Sequence, residues 1–188
     1  MKELFLVEGK SAHSTIRQAM DIQTQDVFAL QGKIMNAQNV STERIESNPV
    51  CAALFETLGC GIGAQCEPSK LAYSRIILLT DPDVDGAHAR ALLAVLFMKF
   101  LRPLIEDCRV FAVIPPLWRV ASRDVESAYA WTDEELKQLR GGVAEDQSDD
   151  NDSVTRFRGV AQFSREECVR LMLDPDTRRQ VLLSVGER

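Results

Sequence analysis

The sequence lacks the cysteine pairs, long apolar runs and surplus of positive charge that mark several large protein classes. Its five cysteines are odd in number and form no C-x-x-C pair, which disfavours a disulfide-stapled secreted fold and a cysteine zinc site. Lys99 and Arg102 interrupt the most apolar stretch, residues 91–104, so no run reaches the ~18–20 residues of a membrane span. We therefore expect reduced thiols, a cytoplasmic location and no membrane partner.

Basic residues are outnumbered, with 22 lysines and arginines against 28 aspartates and glutamates and a net charge of −6. The imbalance is local, because residues 145–152 hold five acids and no base, and without them the net charge is −1. A nucleic-acid contact would therefore depend on a few placed basic side chains. The acidic tract itself predicts a mobile linker over residues 143–153.

Short apolar runs alternate with helical patterns along the first two thirds of the chain. The runs predict strands at 2–7, 27–30, 75–80 and 109–114, and the patterns predict helices at 11–20, 49–58 and 87–101. Such alternation predicts an α/β fold with a mainly parallel sheet and helices on both faces. After Pro116, capping-box sequences beginning at Thr132 and Ser164 predict two short helices. We therefore divide the chain into a main domain, residues 1–118, and a small helical and strand tail, residues 119–188.

Carboxylates follow two of the predicted strands. Asp81, Asp83 and Asp85 alternate directly after the run at 75–80, and Glu8 ends the first strand. Sites in open parallel sheets form outside the carboxyl ends of the strands, so adjacent strands would bring Glu8 and the aspartates together. Carboxylates that close repel one another unless a cation lies between them. Mg²⁺, which prefers oxygen ligands, is the natural candidate.

Two other interpretations compete with the metal site. The pattern D-x-D-x-D-G opens an EF-hand calcium loop, but such a loop needs an acid at its twelfth position, which here is Leu92. An EF-hand also requires a helix before the loop, where this sequence predicts a strand, so we reject it. The second interpretation, a solvated turn rich in Asp and Gly, stays open at this stage.

The order of several motifs resembles the Toprim domain in the B subunits of type IIA DNA topoisomerases, the family of DNA gyrase and topoisomerase IV. The resemblance extends from about residue 4 to residue 185. The matching segments are LVEGKSA at 6–12, QGKIMN at 31–36, LGCGIG at 58–63, LTDPDVDGAH at 79–88, IPPLW at 114–118, RFRGV at 156–160 and LDPDTRR at 173–179.

This resemblance implies the metal half of a strand-cleavage site on double-stranded DNA. In the family, a tyrosine of a separate A-type breakage–reunion subunit attacks the DNA phosphate beside Mg²⁺, with Mn²⁺ as a possible substitute. Carried over, Glu8 is a metal ligand or general acid/base for the leaving 3′ oxygen, and Asp81, Asp83 and Asp85 are metal ligands. The resemblance also implies DNA contacts. The candidate residues for these contacts are Lys33, Asn36, His88 and Arg158.

The sequence departs from the family pattern beside these motifs. Lys10 replaces an acid, His13 and Ser14 replace glycines, Gln31 replaces a base and Gln162 replaces an acid. Neither Tyr73 nor Tyr129 lies in a breakage–reunion motif, and we expect no ATP site in this chain and no activity of the chain alone. Three hypotheses stay open: a B-type module completing a topoisomerase site, a non-catalytic DNA-binding or gyrase-regulating protein, and a Mg²⁺-dependent nuclease.

Overall fold

The protein contains two β-sheets and seven α-helices within residues 1–31, 34–121, 126–140 and 153–186, the part of the chain that the computed structural model describes. The strands are β1 (Glu3–Glu8), β2 (Gln25–Leu30), β3 (Arg75–Leu79), β4 (Val110–Val113), β5 (Trp118–Ala121), β6 (Ala128–Ala130), β7 (Ser153–Arg156) and β8 (Gln180–Leu182). The α-helices are α1 (Gly9–Ala19), α2 (Thr42–Glu46), α3 (Pro49–Leu58), α4 (Val84–Phe100), α5 (Arg102–Glu106), α6 (Asp133–Leu139) and α7 (Arg165–Cys168).

The larger sheet has the strand order β2-β1-β3-β4-β8. Its first four strands are parallel, and β8 pairs antiparallel with β4. The sequence prediction of an α/β fold with a mainly parallel sheet is therefore confirmed. β1 and β3 lie at the centre, and their apolar residues are fully buried because helices cover both faces of the sheet.

Alternate residues of the central strands supply two separate cores. Leu4 and Leu6 of β1 face one core, which is closed mainly by α3, α4 and α5. Phe5 and Val7 face the other core, which contains α1 and apolar residues from 157–173. The C-terminal tail thus covers part of one face of the main sheet.

Two polar anchors attach the tail to the start of this sheet. The buried guanidinium of Arg178 donates two hydrogen bonds to the Glu3 carboxylate, at 2.7 and 2.8 Å. The side-chain amide of Gln25 donates to the carbonyl oxygen of Leu173 at 2.8 Å. The boundary at residue 118 stays a prediction, and the contacts across it are extensive.

Three helices begin or end at residues that are typical helix caps. Asn48 caps α3 by accepting hydrogen bonds from the backbone N–H groups of Val50 and Cys51, and Gly59 ends it with a left-handed φ of 69°. Ser164 and Glu167 form the expected capping box of α7. The Thr132 side chain also caps α6, as predicted.

Two predicted helix starts are wrong, and both lie next to the acidic residues. α1 begins at Gly9 with Glu8 as its N-cap residue, so Ser11 lies inside the helix. α4 begins at Val84 instead of Ala87, because the Asp83 carboxylate caps it by accepting a 2.9 Å hydrogen bond from the Gly86 N–H. Asp85 therefore lies in the first helical turn, where a negative charge is favourable.

The acidic tract predicted as a linker over 143–153 falls almost wholly outside the described residues, as does Lys33. Among the helices of the described residues, none is both long and apolar enough to cross a membrane.

Candidate metal site at the ends of the central strands

Adjacent strands deliver the acidic side chains to one edge of the sheet. Val7 of β1 pairs with Leu79 of β3 in parallel register, so Glu8 and the loop beginning at Thr80 leave the sheet side by side. Asp81 and Asp83 lie in the short loop between β3 and α4, and both are half-buried. The adjacency of the two strands on which the sequence argument depends is therefore present, while a shared metal site of Glu8 and the aspartates stays a prediction.

The loop after β3 is tightly folded around a glycine. A Cβ atom on Gly86 would collide with the backbone nitrogen, carbon and oxygen of Asp81. Only glycine allows the first turn of α4 to pack against the backbone of Asp81. Together with the Asp83 cap, this contact determines where both carboxylates lie.

The C-terminal tail contributes directly to this edge. Asp81 Oδ1 accepts a 2.7 Å hydrogen bond from the backbone N–H of Val160. A Cβ on Gly159 would lie 3.3–3.4 Å from the Asp81 carboxylate atoms, closer than most real Cβ contacts. The Gln162 side chain supports this turn by accepting hydrogen bonds from the N–H groups of Arg158 and Gly159. The tail therefore holds one oxygen of Asp81 in place.

The carboxylates influence one another electrostatically. Burial raises the pKa of Glu8, and the negative charges of Asp81, Asp83 and Asp85 raise it further, in that order. Burial also raises the pKa of Asp81, with a smaller increase from Asp83, although the Val160 hydrogen bond acts in the opposite direction. The ionised forms are thus disfavoured by burial and by the repulsion between neighbouring carboxylates.

The carboxylate oxygens of Glu8 and the aspartates are suitable ligands for Mg²⁺, but the distances between these side chains limit how many of them could bind one ion. In the residues that the structure describes, no three acid, thiol or imidazole side chains are grouped closely enough to ligate one ion. The aspartates can nevertheless raise the pKa of Glu8, because electrostatic repulsion acts over longer distances than a metal–ligand bond. Mg²⁺ commonly uses one or two protein carboxylates and completes its shell with water and phosphate oxygens. One or two carboxylates from among Glu8, Asp81 and Asp83 would therefore be enough to hold it.

A family model and curated proteins match this chain. The family model described as "Toprim domain" matches residues 3–113. The chain belongs to the Toprim family. This Toprim chain is 36% identical over 185 residues to the DNA gyrase B subunit of Thermotoga maritima, covering 98% of this chain and 28% of that protein. It is 35% identical over 181 residues to the DNA gyrase B subunit of Archaeoglobus fulgidus, covering 94% and 27%.

Topoisomerase IV relatives match as well. The Toprim chain is 33% identical over 188 residues to the DNA topoisomerase 4 B subunit of Staphylococcus epidermidis, covering 98% of this chain and 28% of that protein. The chain therefore spans little more than a quarter of the length of the curated relatives. These matches support a Toprim module of the kind present in the B subunits of gyrase and topoisomerase IV.

The candidate DNA-contacting residues of the Toprim chain lie at different distances from the acids along the backbone. Arg158 is exposed and directly precedes Gly159, which touches the Asp81 carboxylate. His88 is exposed on α4, one turn after Asp85. Asn36 is exposed in the loop after β2, and its side-chain oxygen accepts a hydrogen bond from the Gln38 N–H. Lys33 is outside the described residues.

Several departures from the family pattern fall at one place. Lys10, His13 and Gln31 all line an open groove between α1, β2 and α3. Gln162 instead supports the turn beside Asp81, where its side-chain oxygen accepts the same kind of hydrogen bond as the replaced acid could. Glutamine in place of the acid therefore still provides a hydrogen-bond acceptor for this turn.

Sequence reasoning missed the contributions of Val160, Gly159 and Arg90 to this edge. The RFRGV segment at 156–160 carries the family resemblance, yet nothing in its local pattern indicates a partner 79 residues earlier. Arg90 on α4 donates a 3.2 Å hydrogen bond to the hydroxyl of Thr80, the buried residue directly before Asp81. A half-buried guanidinium thus lies next to the backbone that carries the acids.

Proposed function

We propose that this Toprim chain is the metal-binding half of a split DNA strand-cleavage site, with the tyrosine supplied by an A-type partner protein. The observation that carries the proposal is that Glu8, at the end of β1, leaves the sheet beside the segment after β3 that carries Asp81, Asp83 and Asp85, whose charges act on it. The gyrase and topoisomerase IV relatives, named as B subunits, support the same assignment.

In this proposal the partner's tyrosine oxygen attacks a DNA phosphate, a phosphotyrosyl bond forms and the bond to the 3′ oxygen breaks. A bound Mg²⁺ ion supplies positive charge beside the phosphate and the departing oxygen. Asp81, Asp83 and Asp85 would be the residues that hold the ion. Glu8 is a ligand or carries the proton between the site and the 3′ oxygen, and the reverse steps reseal the strand.

Double-stranded DNA would lie along the exposed residues around the acids. Arg158 and His88 are the nearest candidates along the chain for contacts to the phosphate backbone, and Asn36 and Lys33 lie on the segment after β2. The net charge of −6 makes such contacts few and local. We expect backbone contacts of this kind to position the duplex without specifying its sequence.

We place this activity in the cytoplasm. All five cysteines are free thiols, and four of them are buried, which agrees with a reducing compartment.

The test is a cleavage assay on negatively supercoiled plasmid with Mg²⁺, with and without a purified A-type protein, quenched with detergent and protease. The proposal predicts protein-linked double-strand breaks only when both proteins are present. Glu8→Gln and Asp81→Asn should each abolish the breaks, while Glu56→Gln, an exposed acid on α3, should leave them unchanged.

Two other results would point to other functions. Retarded DNA or inhibition of a native gyrase without breaks would indicate a DNA-binding or regulatory Toprim protein. Breaks made by this chain alone with Mn²⁺, and not linked to protein, would indicate a nuclease. Either result would contradict the proposed split site.

A further inference from the structure

The groove beside α1 follows an open strand edge. β2 is the terminal strand of the main sheet within the described residues. The groove has a volume of about 490 Å³, and its floor is three consecutive residues of β2, Val27, Phe28 and Ala29. Side chains of consecutive strand residues point to opposite faces, so a groove that touches all three runs along the backbone edge of the strand.

The backbone of this edge points outward at odd-numbered residues. The Gln25 N–H donates to the carbonyl oxygen of Asp21, and the Val27 N–H donates to the Asp26 carboxylate. Neither partner is in β1, which shows that the odd residues face away from the sheet. In a parallel ladder the N–H and C=O of one residue point to the same side, so the N–H of Ala29 and the carbonyls of Val27 and Ala29 face the groove.

The two walls of the groove differ in chemistry. Lys10 and His13 lie three residues apart on α1 and form the wall on one face of the sheet. Pro49, Val50 and Ala53 of α3 form the wall on the other face. The described lining residues include no carboxylate, since Asp26, which accepts from the Val27 N–H, lies outside the lining. The positive charge of Lys10 therefore makes the polar wall complementary to negative charge.

We propose that the β2 edge binds an extended segment of another protein by strand addition, with acidic and small apolar side chains in alternation. Main-chain hydrogen bonds to Val27 and Ala29 supply the pairing. Every second side chain of the added strand meets Lys10 and His13, which favours Asp or Glu there. The intervening side chains meet Pro49, Val50 and Ala53, which favours small apolar residues.

Charge argues against a second copy of this chain as the occupant. Pairing of two β2 edges with their α1 helices on the same face would bring the Lys10 ammonium groups of both copies into one interface, where like charges repel. The groove lining includes none of the acids proposed to hold the metal and none of the candidate DNA-contacting residues, so the proposal goes beyond the proposed cleavage function.

The test uses a fluorescent, terminally blocked peptide of alternating valine and glutamate, about seven residues long to match a six-residue strand. A peptide of alternating valine and lysine and a peptide with its glutamates in one block are the controls. We expect saturable binding of the alternating acidic peptide by fluorescence anisotropy, at least about tenfold tighter than either control. At saturation the Ala29 amide should exchange with deuterium at least about tenfold more slowly.

Three variants test whether the peptide binds at the β2 edge and not elsewhere on the protein. Ala29→Pro removes an outward N–H of β2 and should weaken peptide binding at least about tenfold. Leu182→Pro removes an outward N–H at the opposite sheet edge, on β8, and should leave binding unchanged. Lys10→Glu, at an exposed position that does not put folding at risk, should reverse the preference in favour of the lysine peptide.

Equal binding of all three peptides, unchanged binding in both Ala29→Pro and Lys10→Glu, or protection of the Ala29 amide by a DNA oligonucleotide but not by the acidic peptide would each overturn the proposal.

Discussion

The carboxylate of Asp81 accepts a hydrogen bond from the backbone N–H of Val160, 79 residues later in the chain, at 2.7 Å. This bond joins the loop after a central strand to the C-terminal tail at the edge where the acids meet. One Asp81 oxygen is thus held by the tail. Residues beyond 118 therefore help to shape the candidate metal site.

Gly159→Ala should weaken Mn²⁺ or Mg²⁺ binding several-fold while the protein stays folded. The added Cβ would lie 3.3–3.4 Å from the Asp81 carboxylate, so the carboxylate or the turn must shift by a few tenths of an ångström. Isothermal titration calorimetry measures the affinity. Gly186→Ala is the matched control, since nothing lies within 4 Å of a Cβ there. Equal affinities in both variants would show that the tail does not position Asp81.

Asp83 has two roles that can be separated by substitution. Asp83→Asn keeps a side-chain oxygen that can cap α4, so thermal stability should stay near that of the wild type while metal affinity falls. Asp83→Ala loses the cap as well, and should lower the free energy of unfolding by about 1 kcal/mol. Thermal denaturation and calorimetry on both variants test this. A metal affinity in Asp83→Asn equal to that of the wild type would remove Asp83 from the site.

Glu8→Gln should raise the thermal midpoint of the metal-free protein at pH 7. Burial and the three aspartates raise the pKa of Glu8 above its ordinary 4.5, so the folded state holds this proton more tightly than the unfolded state. Stability is then lost as the pH rises through the raised pKa, and the ionised group is a cost at neutral pH. Removing the charge should recover a few degrees, since ~1 kcal/mol moves the midpoint by about 2–4 °C in a chain of this size.

This gain should vanish below about pH 4, where Glu8 is protonated in both states. Denaturation curves recorded with a chelator across pH 4–7 check the sign, with Glu56→Gln on the exposed side of α3 as the control. A midpoint that falls at pH 7 in Glu8→Gln would contradict the mutual repulsion of the acids.

Glu167 should stabilise the tail with a pH dependence opposite to that of Glu8, because its pKa is lowered and not raised. Burial alone would raise the pKa of Glu167, but hydrogen bonds from the Ser164 N–H, the Tyr129 hydroxyl and the Ser164 hydroxyl, with the charge of Arg119, together lower it. A lowered pKa gives stability that is present above 4.5 and is lost as the pH falls through the folded value. Glu167→Gln should therefore cost about 1–2 kcal/mol at pH 7 and less in acid.

Urea denaturation at pH 7 and pH 3.5 measures the difference, and the exposed neighbour Glu166 provides the control variant Glu166→Gln. A pH-independent cost for Glu167→Gln would mean that its hydrogen bonds, and not its charge, stabilise the tail.

The sequence predicted the α/β fold and the order of the central elements, because these follow from strand patterns and from the geometry of parallel sheets. The structure places β1 beside β3, while the joint metal site of Glu8 and the aspartates stays a prediction. It did not predict that Asp83 would cap α4, since the same D-x-D-x-D-G pattern is compatible with an open turn. It could not predict the contact of Asp81 with Val160, because a backbone N–H carries no side-chain signature and its partner is remote in the chain.

The groove beside β2 was hidden for a different reason. Lys10, His13 and Gln31 stood out in the sequence as separate departures from the family pattern, at positions up to 21 residues apart. Only the packing of α1 and α3 on either side of the edge strand brings them to one surface.

The most direct test of the central claim is a Mn²⁺ titration followed by electron paramagnetic resonance, comparing the wild type with the double variant Glu8→Gln, Asp81→Asn. If the acids at the ends of β1 and β3 form the metal site, the wild type binds one Mn²⁺ per chain that Mg²⁺ displaces, and the folded double variant loses this binding. Equal Mn²⁺ binding by the two proteins would contradict the metal site.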